Sequence, residues 1–301
     1  MPGPASLLFA AVGATAPGRA EQLLDQHAVL LVAANLLLLV LGLACGAWLL
    51  VRLRRRPIDW PARVADLAWR PWRLSDVATV IGLVLGGSAA ASVLLPLAIR
   101  YTARWNWDAG AVAMVGGSIA FQGVALLGLV VLVRRNRVGW ADAFGLSLRR
   151  LPAGVGQGVF CLLASLPLLI FYTLLYKALL YTWGVDVGLQ DQVRIIAGTS
   201  SGLVRLYFIF LAAVLAPLVE ELVFRGLLFP VLLQRLPLWA ALTVVSTLFA
   251  LMHFHVPSMA PLFVLSFAFC LAYLATGTLW VPIVMHGVFN LSTVAVLYLL
   301  P

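Results

Sequence analysis

"LYFIFLAAVLAPLVEELVFRG", residues 206–226, runs from Leu206 to Val219 without a charge. It then carries Glu220, Glu221 and Arg225 within six residues. A charge at the centre of a bilayer costs at least ~2.5–3.5 kcal/mol on insertion scales. Either this stretch is not in a membrane, or the charges are needed there. The rest of the chain decides between these. It is 63% hydrophobic and 10% charged, and its mean hydropathy is +1.05. A soluble domain is nearer ~45–50% apolar and ~25% charged. The composition predicts an integral membrane protein with no sizeable soluble domain.

Apolar runs long enough to span a bilayer recur at 28–51, 77–99, 110–133, 153–176, 206–234, 237–256, 259–276 and 279–300. The expected fold is therefore all-α: a polytopic bundle of about eight transmembrane helices. Residues 1–200 supply the N-terminal helices and loops. Residues 201–301 form a helical core that carries most of the unusual polar groups, and the two parts make one integrated membrane domain. The first twenty residues lack a signal-peptide pattern. The three cysteines, Cys45, Cys161 and Cys270, match no metal or disulfide spacing.

The formal net charge of +9 does not point to nucleic acid, because the arginines cluster at the ends of apolar runs. Seven lie in the 52–76 loop and five in the 134–152 loop, against five basic residues in the alternate loops. The positive-inside rule then puts the first two loops in the cytoplasm and the N-terminus outside. The expected location is the plasma (inner) membrane, with lipid as the surroundings. Trp60, Trp69, Trp72 and Trp140 flank the spans as interface aromatics do.

Besides Glu220, Glu221 and Arg225, the apolar runs hold His253 in "FALMH" (249–253) and His286 and Asn290 in "HGVFN" (286–290). Helical positions four apart share a face. That pairs Glu221 with Arg225, Phe249 with His253, and His286 with Asn290. Glu220 lies about 100° round from Glu221. Arg225 can therefore neutralise Glu221 and leave Glu220 free, and Pro217 can kink the helix beside both acids. If Pro237 marks a turn, Glu220 and His253 both lie ~25 Å along antiparallel helices and can meet. His286 is only about eight residues into its helix and is shallower, unless the helices tilt or the 235–238 turn projects beyond the membrane. Each group also has a bland reading: a salt bridge near a helix end, packing histidines, and an asparagine joining two helices.

Glutamate, two histidines and an asparagine suit water activation: a general base, a water-positioning imidazole, and donors for a tetrahedral oxyanion. Rival signatures are weak. H-E-x-x-H is absent, no aspartate pair lies within the spans, and "GTSSG" (198–202), with Ser200, lacks the strand that a nucleophile elbow needs.

"EELVFRG", "FALMH" and "HGVFN" resemble the E-E-x-x-x-R, F-x-x-x-H and H-x-x-x-N/D motifs of the CAAX prenyl protease and bacteriocin-processing family. "TGTLWVPIVMHGVFN" (276–290) resembles that family's turn into its last motif. The resemblance covers roughly residues 205–292. It implies a helical bundle around an intramembrane polar cavity, and an intramembrane endopeptidase acting on a membrane-associated peptide or protein. Glu220 would activate water, His253 would position it, His286 and Asn290 would form the oxyanion site, and Glu221, Arg225 and Phe249 would support them. The motifs leave two routes open. Glu220, His253 and His286 could ligate Zn2+ with water in the fourth place, or the glutamate could act without metal, the route preferred here. Two alternatives of other classes use the same buried Glu220: a non-catalytic immunity or scaffold protein, and a proton-coupled transporter.

Overall fold

The computed structural model describes residues 17–105, 109–187 and 202–299. Ser200 and residues 1–16, read above for a nucleophile and a signal sequence, lie outside the described residues. Ten helices follow in order: α1 Pro17–Arg55, α2 Trp60–Ala68, α3 Leu74–Thr102, α4 Ala109–Arg135, α5 Trp140–Phe144, α6 Leu151–Thr182, α7 Gly202–Leu233, α8 Leu238–Leu251, α9 Met259–Thr276 and α10 Trp280–Leu299. Among the described residues there is no strand. The polytopic helical bundle is as expected.

The eight apolar runs all form helices, as expected. Among the described residues six helical stretches are long and apolar enough to cross a membrane, and the other two runs give the apolar helices α8 and α10, the latter 20 residues long. The 14 residues of α8 reach only ~21 Å at 1.5 Å per residue, against a hydrocarbon core of ~30 Å. The helix ends early because the chain turns at Met252 and His253, Phe254 takes a left-handed φ of +47°, and Pro257 follows in a 3-10 turn.

The lipid-facing helices are α1 and α3. Only 6% of each spanning window is buried, against 44% for the window that contains α9. Long aliphatic side chains such as Leu36, Leu37, Leu85 and Leu97 are accordingly exposed, which is the correct arrangement when the solvent is hydrocarbon. The bundle is held by close backbone approaches at small residues, as membrane helices require in the absence of a hydrophobic driving force. A Cβ on Gly42 of α1 would lie 2.7 Å from the Leu163 carbonyl of α6, and one on Gly158 of α6 would lie 2.7 Å from Val284 of α10.

The loops alternate between two faces. On one, the Gln234 amide donates to the carbonyls of Ala68, Arg70 and Trp72 at 3.2–3.3 Å. On the same face the Leu279 N–H donates to Phe144, the Thr278 hydroxyl to Gly145 and the Trp280 indole to Ser147. The arginine-rich loops 52–76 and 134–152 therefore gather with the 234–237 and 277–279 turns. On the other face the Tyr176 hydroxyl donates to Val256. Asp76, buried at the start of α3, accepts from the Arg73 N–H and pairs with Arg135 at the end of α4.

Gly145 is the tightest point of the first face. Its φ is +70°, and a Cβ there would lie 2.8 Å from Thr278 Cα and collide with the Gly277 carbonyl. Gly145→Ala is expected to destabilise the protein by about 1–3 kcal/mol, read as a lower unfolding temperature in detergent micelles. An unchanged midpoint would show that this junction contributes little.

Candidate active site

Glu220, Glu221, Arg225 and His286 converge, with His253 joined to them through the Phe249 ring and Asn290 one turn further along the last helix. The cluster is built on α7, whose backbone departs from a regular α-helix on both sides of the acids. A π segment at Leu211–Leu215 precedes them and another at Leu222–Leu228 follows, with Ala216–Glu221 between. The kink expected at Pro217 takes this form. In the first π segment the Ala216 N–H donates five residues back to Leu211. The next donor in that register would be residue 217, and proline has none. The Ala212 carbonyl is thereby orphaned, and the Asn290 amide of α10 donates to it at 2.9 Å. One turn earlier on α10, a Cβ on Gly287 would strike the Ala213 carbonyl, so the two helices touch at this irregularity.

The two adjacent glutamates have separate environments. Glu221 is fully buried. Its Oε1 accepts from Arg225 Nη1 at 2.9 Å and from His286 Nδ1 at 2.9 Å. Arg225 is also fully buried, and its Nη2 donates to the Ser266 hydroxyl at 2.6 Å and to the Ser266 carbonyl at 3.2 Å. The rings of Phe249, Phe269 and Phe224 stand 4.5, 5.2 and 5.8 Å from the guanidinium carbon, a cation–π cage worth more when desolvated. Glu220 is different. Its side chain is 18% exposed, it makes no hydrogen bond among the described residues, and its nearest charge partner is His286 Nε2 at 3.9 Å.

The two histidines are held the same way. Each donates from Nδ1, His286 to Glu221 and His253 to the Phe249 carbonyl at 2.8 Å. An acceptor at Nδ1 fixes the tautomer and leaves Nε2 for other work. Fully buried Phe249 links them, its ring 4.9 Å from His253 and 5.7 Å from His286. His253 reaches this position from the turn after α8, not from a fourth helical turn. The carbonyl it takes is one that the helix end leaves without a partner.

The depth of His286 is explained by the loops. The turn that starts α10 is inset: Leu279 is fully buried and Thr278 is 4% exposed beneath the 144–147 segment. The 234–237 turn lies further out, against the carbonyls of 68–72. A shallow count from Gly277 still brings His286 to Glu221.

All seven residues singled out in the sequence have these positions: Glu220, Glu221, Arg225, Phe249, His253, His286 and Asn290. Asn290, expected at an oxyanion, spends one amide hydrogen on the Ala212 carbonyl. Glu220, His253 and His286, considered as zinc ligands, are not grouped as such: among the described residues no three His, Cys, Asp or Glu side chains are placed to hold a metal ion. Ser266 and Phe269 were not singled out. The only signal for Ser266 is a lone hydroxyl within "FVLSFAF", and an aromatic in an apolar run carries none.

Residues 202–292 match the family model described as type II CAAX prenyl endopeptidase Rce1-like. All three motifs fall within the match, so the resemblance read from them is borne out over that segment. The family is one of proteases, and the helices make this an integral membrane protein. No curated protein and no solved structure matches the chain.

Proposed function

With residues 202–292 matching a family of membrane-embedded endopeptidases, we propose that this protein hydrolyses a peptide bond of a membrane-associated protein or peptide, with water activated by Glu220. The observation that carries the reading is the division of labour between the adjacent acids. Glu221 is enclosed and bonded twice, while Glu220 is partly accessible and has no hydrogen bond. An unoccupied carboxylate in a poorly solvated setting suits a general base.

In this reading Glu220 takes a proton from a water that His253 Nε2 helps to hold. The hydroxide attacks the scissile carbonyl carbon, and the oxygen becomes an oxyanion. His286 faces that oxygen through Nε2. Its Nδ1 hydrogen is committed to Glu221, so donation from Nε2 requires the doubly protonated ring. The second amide hydrogen of Asn290 is the other donor. Glu220 then returns its proton to the leaving amine as the carbon–nitrogen bond breaks. Arg225, Ser266 and the phenylalanine cage hold Glu221, which orients His286. The side chains as arranged do not form a metal cradle, and no step is routed through one.

The test is a comparison of membrane proteomes from cells carrying the wild-type protein and Glu220→Gln. Accumulation of an uncleaved membrane protein in the variant supports the reading. Identical processing in both, with the variant present at normal level, would favour a non-catalytic scaffold.

A further inference from the structure

The 68–72 turn, the 139–150 segment and the 277–279 turn meet around a cavity of about 440 Å3 lined by Arg70, Asp142, Gly145, Ser147, Arg150 and Gly277. None of these residues belongs to the cluster around Glu220. Its walls hold charge of both signs. Arg70, Asp142 and Arg150 make no ion pair among the described residues. The Arg70 Nε is shielded from solvent and has no hydrogen-bond partner among the described residues, and the buried Tyr273 hydroxyl lies beside the same side chain. Gly145 and Gly277, with φ of +70° and +67°, bring backbone rather than side chain to the wall.

Two observations place this cavity in the headgroup layer. It lies on the face where the arginine-rich loops gather, and the Trp69 indole beside it is 87% exposed, the position of an interface aromatic. Two guanidiniums match phosphate oxygens. A carboxylate in the same cavity repels a simple anion but attracts an ammonium. We propose that the cavity binds the headgroup of a membrane phospholipid carrying both a phosphodiester and a primary ammonium, the phosphoethanolamine type. Arg70 and Arg150 take the phosphate, and Asp142 takes the ammonium.

The experiment is native mass spectrometry of the full-length protein in detergent micelles. Lipids with identical acyl chains and phosphoethanolamine, phosphocholine or phosphoglycerol headgroups are added in turn. The phosphoethanolamine lipid should be retained roughly five- to tenfold better than the other two, a difference of about one decade in affinity. Arg70→Gln with Arg150→Gln should lower retention of all three, and Asp142→Asn should remove only the preference for phosphoethanolamine. Equal retention of the three lipids by the wild-type protein overturns the proposal without any variant needing to fold. So does a phosphoglycerol preference that Asp142→Asn leaves unchanged, or loss of the bound lipid on adding millimolar inorganic phosphate, which would mark a plain anion site. The readout is independent of peptide hydrolysis.

Discussion

Glutamine in place of Glu220 should give a protein that folds as well as the parent and cleaves its substrate about 10²- to 10⁴-fold more slowly, the range a positioned general base contributes. The two halves of this expectation have separate grounds. Folding should be unaffected because the Glu220 carboxylate makes no hydrogen bond, and its one ionic neighbour, His286 Nε2, is 3.9 Å away. An amide of the same shape loses little there, within about 0.5 kcal/mol. Hydrolysis should fail because an amide cannot accept the proton that water must give up. Glu221→Gln supplies the contrast. It removes the charge that faces Arg225 and the acceptor that orients His286, so its first effect should be on the unfolding midpoint. Measuring cleavage rate and thermal unfolding for both variants separates the roles. A Glu220→Gln protein with its melting point intact and its rate within threefold of the parent would remove Glu220 from the mechanism.

Membrane sequences expose such sites unusually well. In hydrocarbon each ionisable side chain is an anomaly that needs a partner, so Glu220, Glu221, Arg225, His253 and His286 stand out against leucine and valine. Helical spacing then assigns Arg225 to Glu221 without reference to any other helix. The information is lost where the partner is apolar or distant. Phe269 closes the cage around Arg225, yet a phenylalanine within "SFAF" reads the same whether it faces lipid or a guanidinium. Ser266 lies 41 residues from the arginine it serves, and no local spacing connects them. The early end of α8 depends on a left-handed residue at Phe254, a position where sequence signals favour glycine or asparagine. In the first π segment of α7 the Ala212 carbonyl is met by Asn290 of α10, a tertiary contact that Pro217 invites but does not specify.

Arg225→Met is expected to be the most damaging substitution for stability, at about 3–5 kcal/mol, the cost of removing one partner from a buried ion pair. Methionine can fill part of the space between Phe224, Phe249 and Phe269, so the loss is chiefly electrostatic. It leaves Glu221, fully buried, with only the His286 imidazole as a donor. It also leaves the Ser266 hydroxyl without the bond it makes at 2.6 Å. The pair already strains its surroundings, since Glu221 Oε2 and Arg225 Nε are both buried without partners. The charges are therefore a net burden unless each neutralises the other. It follows that the double variant Glu221→Gln/Arg225→Met should be more stable than Arg225→Met alone. The glutamine carbonyl can still accept from His286 Nδ1, and no charge remains without a counterpart. Thermal unfolding of the two single variants and the double variant in detergent gives the coupling directly. An interaction of 1 kcal/mol or more, with the double variant less destabilised than the sum, is the expected result. Strict additivity would mean that Glu221 and Arg225 do not stabilise each other, and that the orientation of His286 by Glu221 needs a different support.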